Sequence, residues 1–265
     1  MRKRFLPLLC VIALLSFVLL MDFGKNVGAY KEGYSVNDYV AITTPTMDGK
    51  WTSTDEWNDA DGASFAGGNA VFRMKFVSSY PSWVNQYYII ELFNDTTDDN
   101  GDYLQICYAT ATTFGGRPTG GNAPQTDCIR IDYYPKTGEV KVYKGTGTGW
   151  TETTDYTWPD HVEAVSTMSA SPLNGNSHRI YEFKIEHIHF GIQPEMWIRV
   201  AAYDASRTAV QAWPDGSSVN VPDDWGLVNV FTNPIPENIN LLVALPLSSI
   251  PVLIALRRFK KIPKL

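Results

Sequence analysis

Residues 40–230 carry almost no helical periodicity and consist of short alternating runs punctuated by Gly, Pro, Asn and Asp. Side chains of a strand point alternately to its two faces, so a period of two over several residues marks a strand with one buried face. In "VFRMKFV", Phe72, Met74 and Phe76 alternate with Arg73 and Lys75. "QYYIIELF" is denser, as a strand buried on both faces would be. "YLQICYA", "CIRIDYY", "EVKVYKG", "RIYEFKIE" and "WIRVAAYD" follow, rich in the aromatic and β-branched residues that strands favour. "YPKTGE" reads as a tight turn closing a hairpin. The pattern predicts an all-β domain over residues 40–231: an antiparallel β-sandwich with jelly-roll or immunoglobulin-like layers.

The two ends differ from this middle. Arg2, Lys3 and Arg4 precede an apolar run from Phe5 to Met21, and Val27-Gly28-Ala29 offers small residues for cleavage, so residues 1–29 read as a signal peptide. Ile239 to Leu256 is apolar apart from Asn240, Ser248 and Ser249, which is short but adequate for a transmembrane helix. Pro246 and Pro251 would bend it, as membrane helices tolerate. Arg257, Arg258, Lys260, Lys261 and Lys264 follow at once, and basic residues stay cytoplasmic. The expected order is signal, linker 30–39, sandwich, linker 232–238, helix 239–256 and cytoplasmic basic tail 257–265, with the bulk extracellular on a single-pass membrane protein. The C-terminal pattern, with Pro236 and Glu237 before the span, resembles the sorting signals of archaeal and bacterial surface proteins. That resemblance would make the tail a substrate for removal by a sortase-like enzyme.

Residues 30–238 hold 13 basic and 27 acidic side chains, a formal net of −14. Such a surface repels nucleic acid and anionic headgroups, and attracts cations. Cys10 falls in the signal, leaving Cys107 and Cys128 in a compartment that permits disulfides. Alternation places Leu104, Ile106 and Tyr108 inward and Tyr103, Gln105 and Cys107 outward; Ile129, Ile131 and Tyr133 point inward and Cys128, Arg130 and Asp132 outward. Both cysteines thus lie on the outer face of strands joined by one loop, and a Cys107–Cys128 disulfide is expected if those strands are neighbours.

"DGKWTSTDEWNDA" supplies Asp48, Gly49, Trp57, Asp59 and Ala60, and resembles the opening of domains similar to the family-nine carbohydrate-binding modules and the related DOMON-like domains. "YEFKIEHIHFGIQPEMWIRVAAYDA" resembles their penultimate segment, and "AWPDGSSVNVPDDWGLV" the closing strand region of archaeal surface proteins in that group. The resemblance spans about 190 residues through loose motifs and bears on fold more than ligand. On this reading Asp48-Gly49 makes a turn, Trp57 closes one end of the core, and Trp51 either does likewise or stays exposed.

Sugar binding needs aromatic faces against the C–H face of a pyranose, with carboxylates and amides for the hydroxyls. Trp83, Trp150, Trp158 and Trp213 sit in loop-like contexts and are the candidates, each with packing as the alternative. No motif matches any of them to the tryptophan pair of family-nine modules. The acidic loop "NDTTDDNGDY" places Asp95, Asp98, Asp99, Asn100 and Asp102 within eight residues, a set that either binds calcium or is a solvated hairpin loop. Asn94-Asp95-Thr96 within it is the one N-glycosylation sequon. Phe114 and Arg117 in the long loop before Cys128 are further ligand candidates. His187 and His189 share a strand face without a third ligand at metal-site spacing. Met74 is the residue that a haem-binding relative would use, without an identifiable partner.

No nucleophile elbow, zinc-protease motif or phosphate loop occurs, so a non-enzyme is expected. The leading expectation is an exported, membrane-anchored surface sandwich of archaeal type that binds carbohydrate non-catalytically, with calcium as the one candidate cofactor. A structural envelope or filament subunit making contacts with other surface proteins is the alternative, and a haem-binding electron carrier a third. The expected partners are carbohydrate or surface proteins and the membrane, not nucleic acid.

Overall fold

The computed structural model describes residues 30–79, 83–111, 116–155, 160–186 and 195–231. The signal segment, Phe114, Trp158, His187, His189, the side chain of Trp83, and everything from residue 232 onward, including the expected membrane helix, lie outside the described residues. Among the described residues no helix is long and apolar enough to cross a membrane.

Thirteen strands form two sheets among the described residues. The smaller contains β2 (Asp61–Phe65), β3 (Ala70–Ser79), β4 (Trp83–Leu92), β10 (His178–Glu186) and β9 (Val162–Ser169), in that order across the sheet. The larger runs β1 (Ser35–Tyr39), β13 (Gly226–Phe231), β11 (Glu195–Asp204), β5 (Tyr103–Thr110), β6 (Cys128–Tyr134), β7 (Glu139–Gly145) and β8 (Trp150–Glu152). The remaining strand, β12 (Ala209–Trp213), pairs the second half of β11, whose first half pairs β13. All pairs are antiparallel except β1 with β13. That exception follows from chain direction: a parallel pair needs a long crossover, and here nearly the whole domain intervenes.

The alternation sets the inner faces as expected. Phe72, Met74, Tyr88, Ile90, Tyr181 and Phe183 of the smaller sheet share one core with Leu104, Ile106, Ile131, Ile198 and Val200 of the larger. Two sheets sharing one apolar layer make a sandwich. Burying each large aliphatic or Phe side chain contributes ~1.5–3 kcal/mol, so this layer dominates the fold's stability. The β6–β7 hairpin turns where "YPKTGE" placed it, with Gly138 N–H donating to Tyr134 O at 2.9 Å.

The opening motif does something different from capping the core end. Residues 41–60, including the single helical turn α1 (Thr54–Trp57), cross the outer face of the smaller sheet as a strap. Trp51 and Trp57 are buried there with Tyr87, Ile89 and Ile180, as a second apolar cluster. Polar locks hold the strap down. Lys75 Nζ donates to Thr43 O at 2.5 Å, Glu56 O at 2.6 Å and Asp59 Oδ1 at 2.6 Å. Glu182 Oε2 accepts the N–H groups of Asp48 and Gly49 at 3.0 and 2.7 Å. Gly49 has φ +75° and lies so close to Thr167 and Ser166 that a Cβ there would meet atoms at 2.9–3.1 Å. An Asp-Gly pair suits this turn because glycine takes a left-handed φ at no steric cost.

Candidate functional site

The outer face of the larger sheet carries a connected polar and aromatic layer, much of it buried under loops, rather than a row of independently solvated side chains. Arg199 on β11 donates Nη1–H to Gln105 Oε1 on β5 at 2.6 Å. Gln105 Nε2 donates to Asp132 Oδ1 on β6 at 2.9 Å. Arg130 closes both oxygens of Asp132, through Nε at 2.9 Å and through Nη2, and lies over the Tyr143 ring of β7. One chain of charge-assisted bonds therefore crosses three strands, and a cation–π contact extends it to a fourth; such bonds fix planar groups in place. Arg199, Gln105 and Asp132 are buried, whereas Arg130 is 24% exposed.

Tyrosines line one side of this chain. Tyr203 and Tyr103 are register partners on β11 and β5, and their rings stack at 5.3 Å and 15°. Tyr134 of β6 follows at 5.9 Å from Tyr103. All three are half-buried, so their edges reach solvent. Tryptophans line the other side. Trp197 and Trp225 are buried beside Cys107 and Cys128, and Trp150 stacks on Trp225 at 6.4 Å and 8° while staying half-exposed. Trp225 Nε1 donates to Ser218 O and Trp150 Nε1 to Asn220 Oδ1, tying both indoles to the loop after β12. Beside that loop opens a cleft of about 430 Å³ whose lining includes Arg199, Gln211, Asp215 and Ser217. Ser217 Oγ and Gln211 Oε1 have no hydrogen-bond partner. Buried polar atoms are nearly always paired, so these two mark spare capacity for a ligand or water.

The candidate tryptophans separate. Trp150 lies on this face and keeps its candidacy. Trp213 does not: it is the last residue of β12, 2% exposed, and packs edge-on against Phe72 and Tyr34. Its side chain shares the inward face of β12 with Gln211, and the turn in "AWPDG" begins one residue later. Arg117 pairs with Glu195 at 3.2 Å on the surface. Met74 is fully buried within the core. The tyrosine row went unnoticed in the sequence, although the outward series Tyr103, Gln105, Cys107 and Cys128, Arg130, Asp132 leads straight to Tyr134.

The expected disulfide does not form. β5 and β6 are neighbours, but the register pairs Cys107 with Arg130 and Cys128 with Ala109. The thiols sit on a diagonal, where neighbours lie ~7–8 Å apart, against the ~4.4–6.8 Å Cα span of a disulfide. Both are free and buried. Burial pushes the Cys107 thiol up to about 12 and raises that of Cys128 as well. Hydrogen bonds close the base of the loop instead, from Thr110 N–H to Asp127 O and from Thr119 N–H to Asp127 Oδ2.

The acidic loop after β4 is divided. Asp98 pairs with Lys136 Nζ and Arg179 Nη2, each at 2.7 Å, which hold its carboxyl down at about 2. Asn100 is exposed. Asp95 is buried; desolvation, with Asp102 and Asp204 nearby, pushes it up to about 6. The carboxylates of Asp99, Asp102 and Asp204 lie within 4.8 Å of one another. Asp204, from the end of β11, was outside the sequence-based set. Asn94 keeps its side-chain oxygen on Gln211 Nε2 at 3.2 Å and is half-buried. His178 is buried, donating toward Asn176 O and Glu91 Oε2 at 2.8 Å each, so both ring nitrogens face acceptors and the imidazole pKa is raised against the opposing effect of burial.

Neither protein-family models nor curated proteins match this chain.

Proposed function

We propose that this chain is an exported, membrane-anchored surface protein whose jelly-roll-like sandwich binds carbohydrate, without catalysis, on the outer face of its larger sheet. One observation carries the reading: half-exposed aromatic rings flank both sides of a hydrogen-bonded chain of planar polar groups, beside a cleft into which Ser217 brings an unpaired oxygen. Sugars ask for that combination, because a pyranose presents apolar C–H patches and a rim of hydroxyls. Trp150 and the Tyr103–Tyr203 pair supply the apolar contacts. Ser217 and Arg130 supply the polar ones. The signal, span and basic tail read from the sequence put this face outside the cell. Membership of the family-nine or DOMON-like group is part of the same proposal and rests on the motifs quoted above.

A glycan array tests it with the full chain in detergent. Hits that disappear in Trp150→Ala or in Tyr103→Ala/Tyr203→Ala, while the circular dichroism spectrum is kept, support the reading. A folded sample without hits refutes it, as do hits indifferent to all three substitutions.

A further inference from the structure

Where the loop after β4 meets the turn between β11 and β12, buried negative charge exceeds buried positive charge. Asp95, Asp102 and Asp204 are each at most 1% exposed. Arg179, at 2%, is the buried cation that ion-pairs with them, contacting Asp102 Oδ2 at 3.3 Å and Asp95 Oδ2 at 3.7 Å. Buried His178 is matched by buried Glu91, and the other Lys and Arg nearby are solvent-facing: Lys136 is 45% exposed and bound to Asp98, and Arg207 is 51% exposed with Nε 3.3 Å from Asp204 Oδ2. Three buried carboxylates against one buried guanidinium is costly unless a further cation or a proton joins them.

A second observation points the same way. Asp95 Oδ2 and Asp204 Oδ2 are buried atoms that accept no hydrogen bond. Unsatisfied buried polar atoms are rare, and several in one place mark a site for an ordered ion or water. The remaining oxygens are organised around the same spot. Asp102 Oδ1 accepts Ala205 N–H at 2.9 Å, joining loop to turn, and Asp204 Oδ1 accepts Ser206 N–H at 2.9 Å.

We propose that Asp99, Asp102 and Asp204 bind one calcium-sized cation, with the buried carboxylate of Asp95 behind them. All the donors are carboxylate oxygens, without imidazole or thiolate, which suits a hard cation. Calcium takes six to eight oxygens at flexible angles, so water completes a shell that three carboxylates begin. The ligand set differs from the contiguous acidic run. Asp98 is spent on Arg179 and Lys136, and the missing donor comes from another strand. The ion would pin the loop after β4 to the β11–β12 turn. Asp102 and Asp204 directly adjoin Tyr103 and Tyr203, so the site also anchors the stacked tyrosine pair from below. The inference stands on these carboxylates and does not need the carbohydrate reading.

Terbium is the probe, because a lanthanide takes calcium-type oxygen sites and tyrosines adjoin this one. The full chain in detergent, stripped with chelator, is titrated with Tb³⁺ and excited through tyrosine. The expected result is saturable luminescence, displaced by Ca²⁺, and a thermal midpoint that Ca²⁺ raises. Asp99→Asn and Asp204→Asn should each weaken binding by about tenfold or more, and Asp98→Asn should not. Should Asp204→Asn fail to fold, Asp99→Asn, at a half-buried position, decides alone. Absence of saturable luminescence, or a signal unchanged in Asp99→Asn, overturns the proposal.

Discussion

Replacing Lys75 with Met should loosen the strap over the smaller sheet and cost the domain ~3 kcal/mol. The Lys75 side chain is fully buried, and its Nζ serves three oxygens at once: Thr43 O, Glu56 O and Asp59 Oδ1. It also stands 5.3 Å from the centroid of the Trp57 ring. Removing one partner of a buried ion pair costs ~3–5 kcal/mol, because the other charge is left uncompensated. The lower end applies, since Asp59 Oδ2 keeps two donors, Ile42 N–H and Thr43 N–H. Met occupies most of the lysine stem's volume, so the cavity contribution stays small. Urea denaturation followed by tryptophan fluorescence reads the effect. With a slope of ~2–3 kcal/mol per M, the midpoint should fall by ~1–1.5 M. The double variant Lys75→Met/Asp59→Asn should recover ~1–3 kcal/mol relative to additivity. A midpoint lowered by less than ~0.3 M at unchanged slope would refute the idea that these bonds hold the strap.

Two further outcomes follow from buried groups. Desolvation pushes Glu182 up to about 8 from an ordinary 4.5, so the folded chain binds its proton more tightly than the unfolded chain. That contribution to stability is full below about 4.5 and is lost as pH rises through about 8; Glu182→Gln should flatten the pH profile of the thermal midpoint across that window, and an unchanged profile would contradict the placement. Cys107 and Cys128 should resist alkylation at pH 8 in the folded chain and react fully, without reductant, once unfolded; mass spectrometry showing no reaction in denaturant would mean that they are bonded after all.

Strand identity was legible because alternation is a local signal. Phe72 and Met74 lie in the shared core and Phe76 is buried, and the Tyr134–Glu139 turn falls where Pro-Lys-Thr-Gly placed it. Three features were not legible, each for a different reason. Alternation says which face a residue takes, not what covers that face; Trp51, Trp57 and Lys75 are buried by a strap that only tertiary packing reveals. Register is set by where a long loop rejoins the sheet, so Cys107 and Cys128 could be assigned to one face but not to a diagonal. The carboxylate cluster draws Asp204 from about a hundred residues beyond Asp99 and Asp102, a neighbour relation that no contiguous motif encodes. Trp213 shows the reverse error. The Pro-Asp-Gly that follows it suggested a loop, whereas the strand runs to its last residue and carries the indole into the core.

A crystal structure of the chain with its best array ligand tests the central claim most directly. The account predicts sugar density on the outer face of the larger sheet, against Trp150 or the Tyr103–Tyr203 pair and within hydrogen-bonding reach of Ser217 or Arg130. Density bound anywhere else on the sandwich, with that face bare, would contradict it.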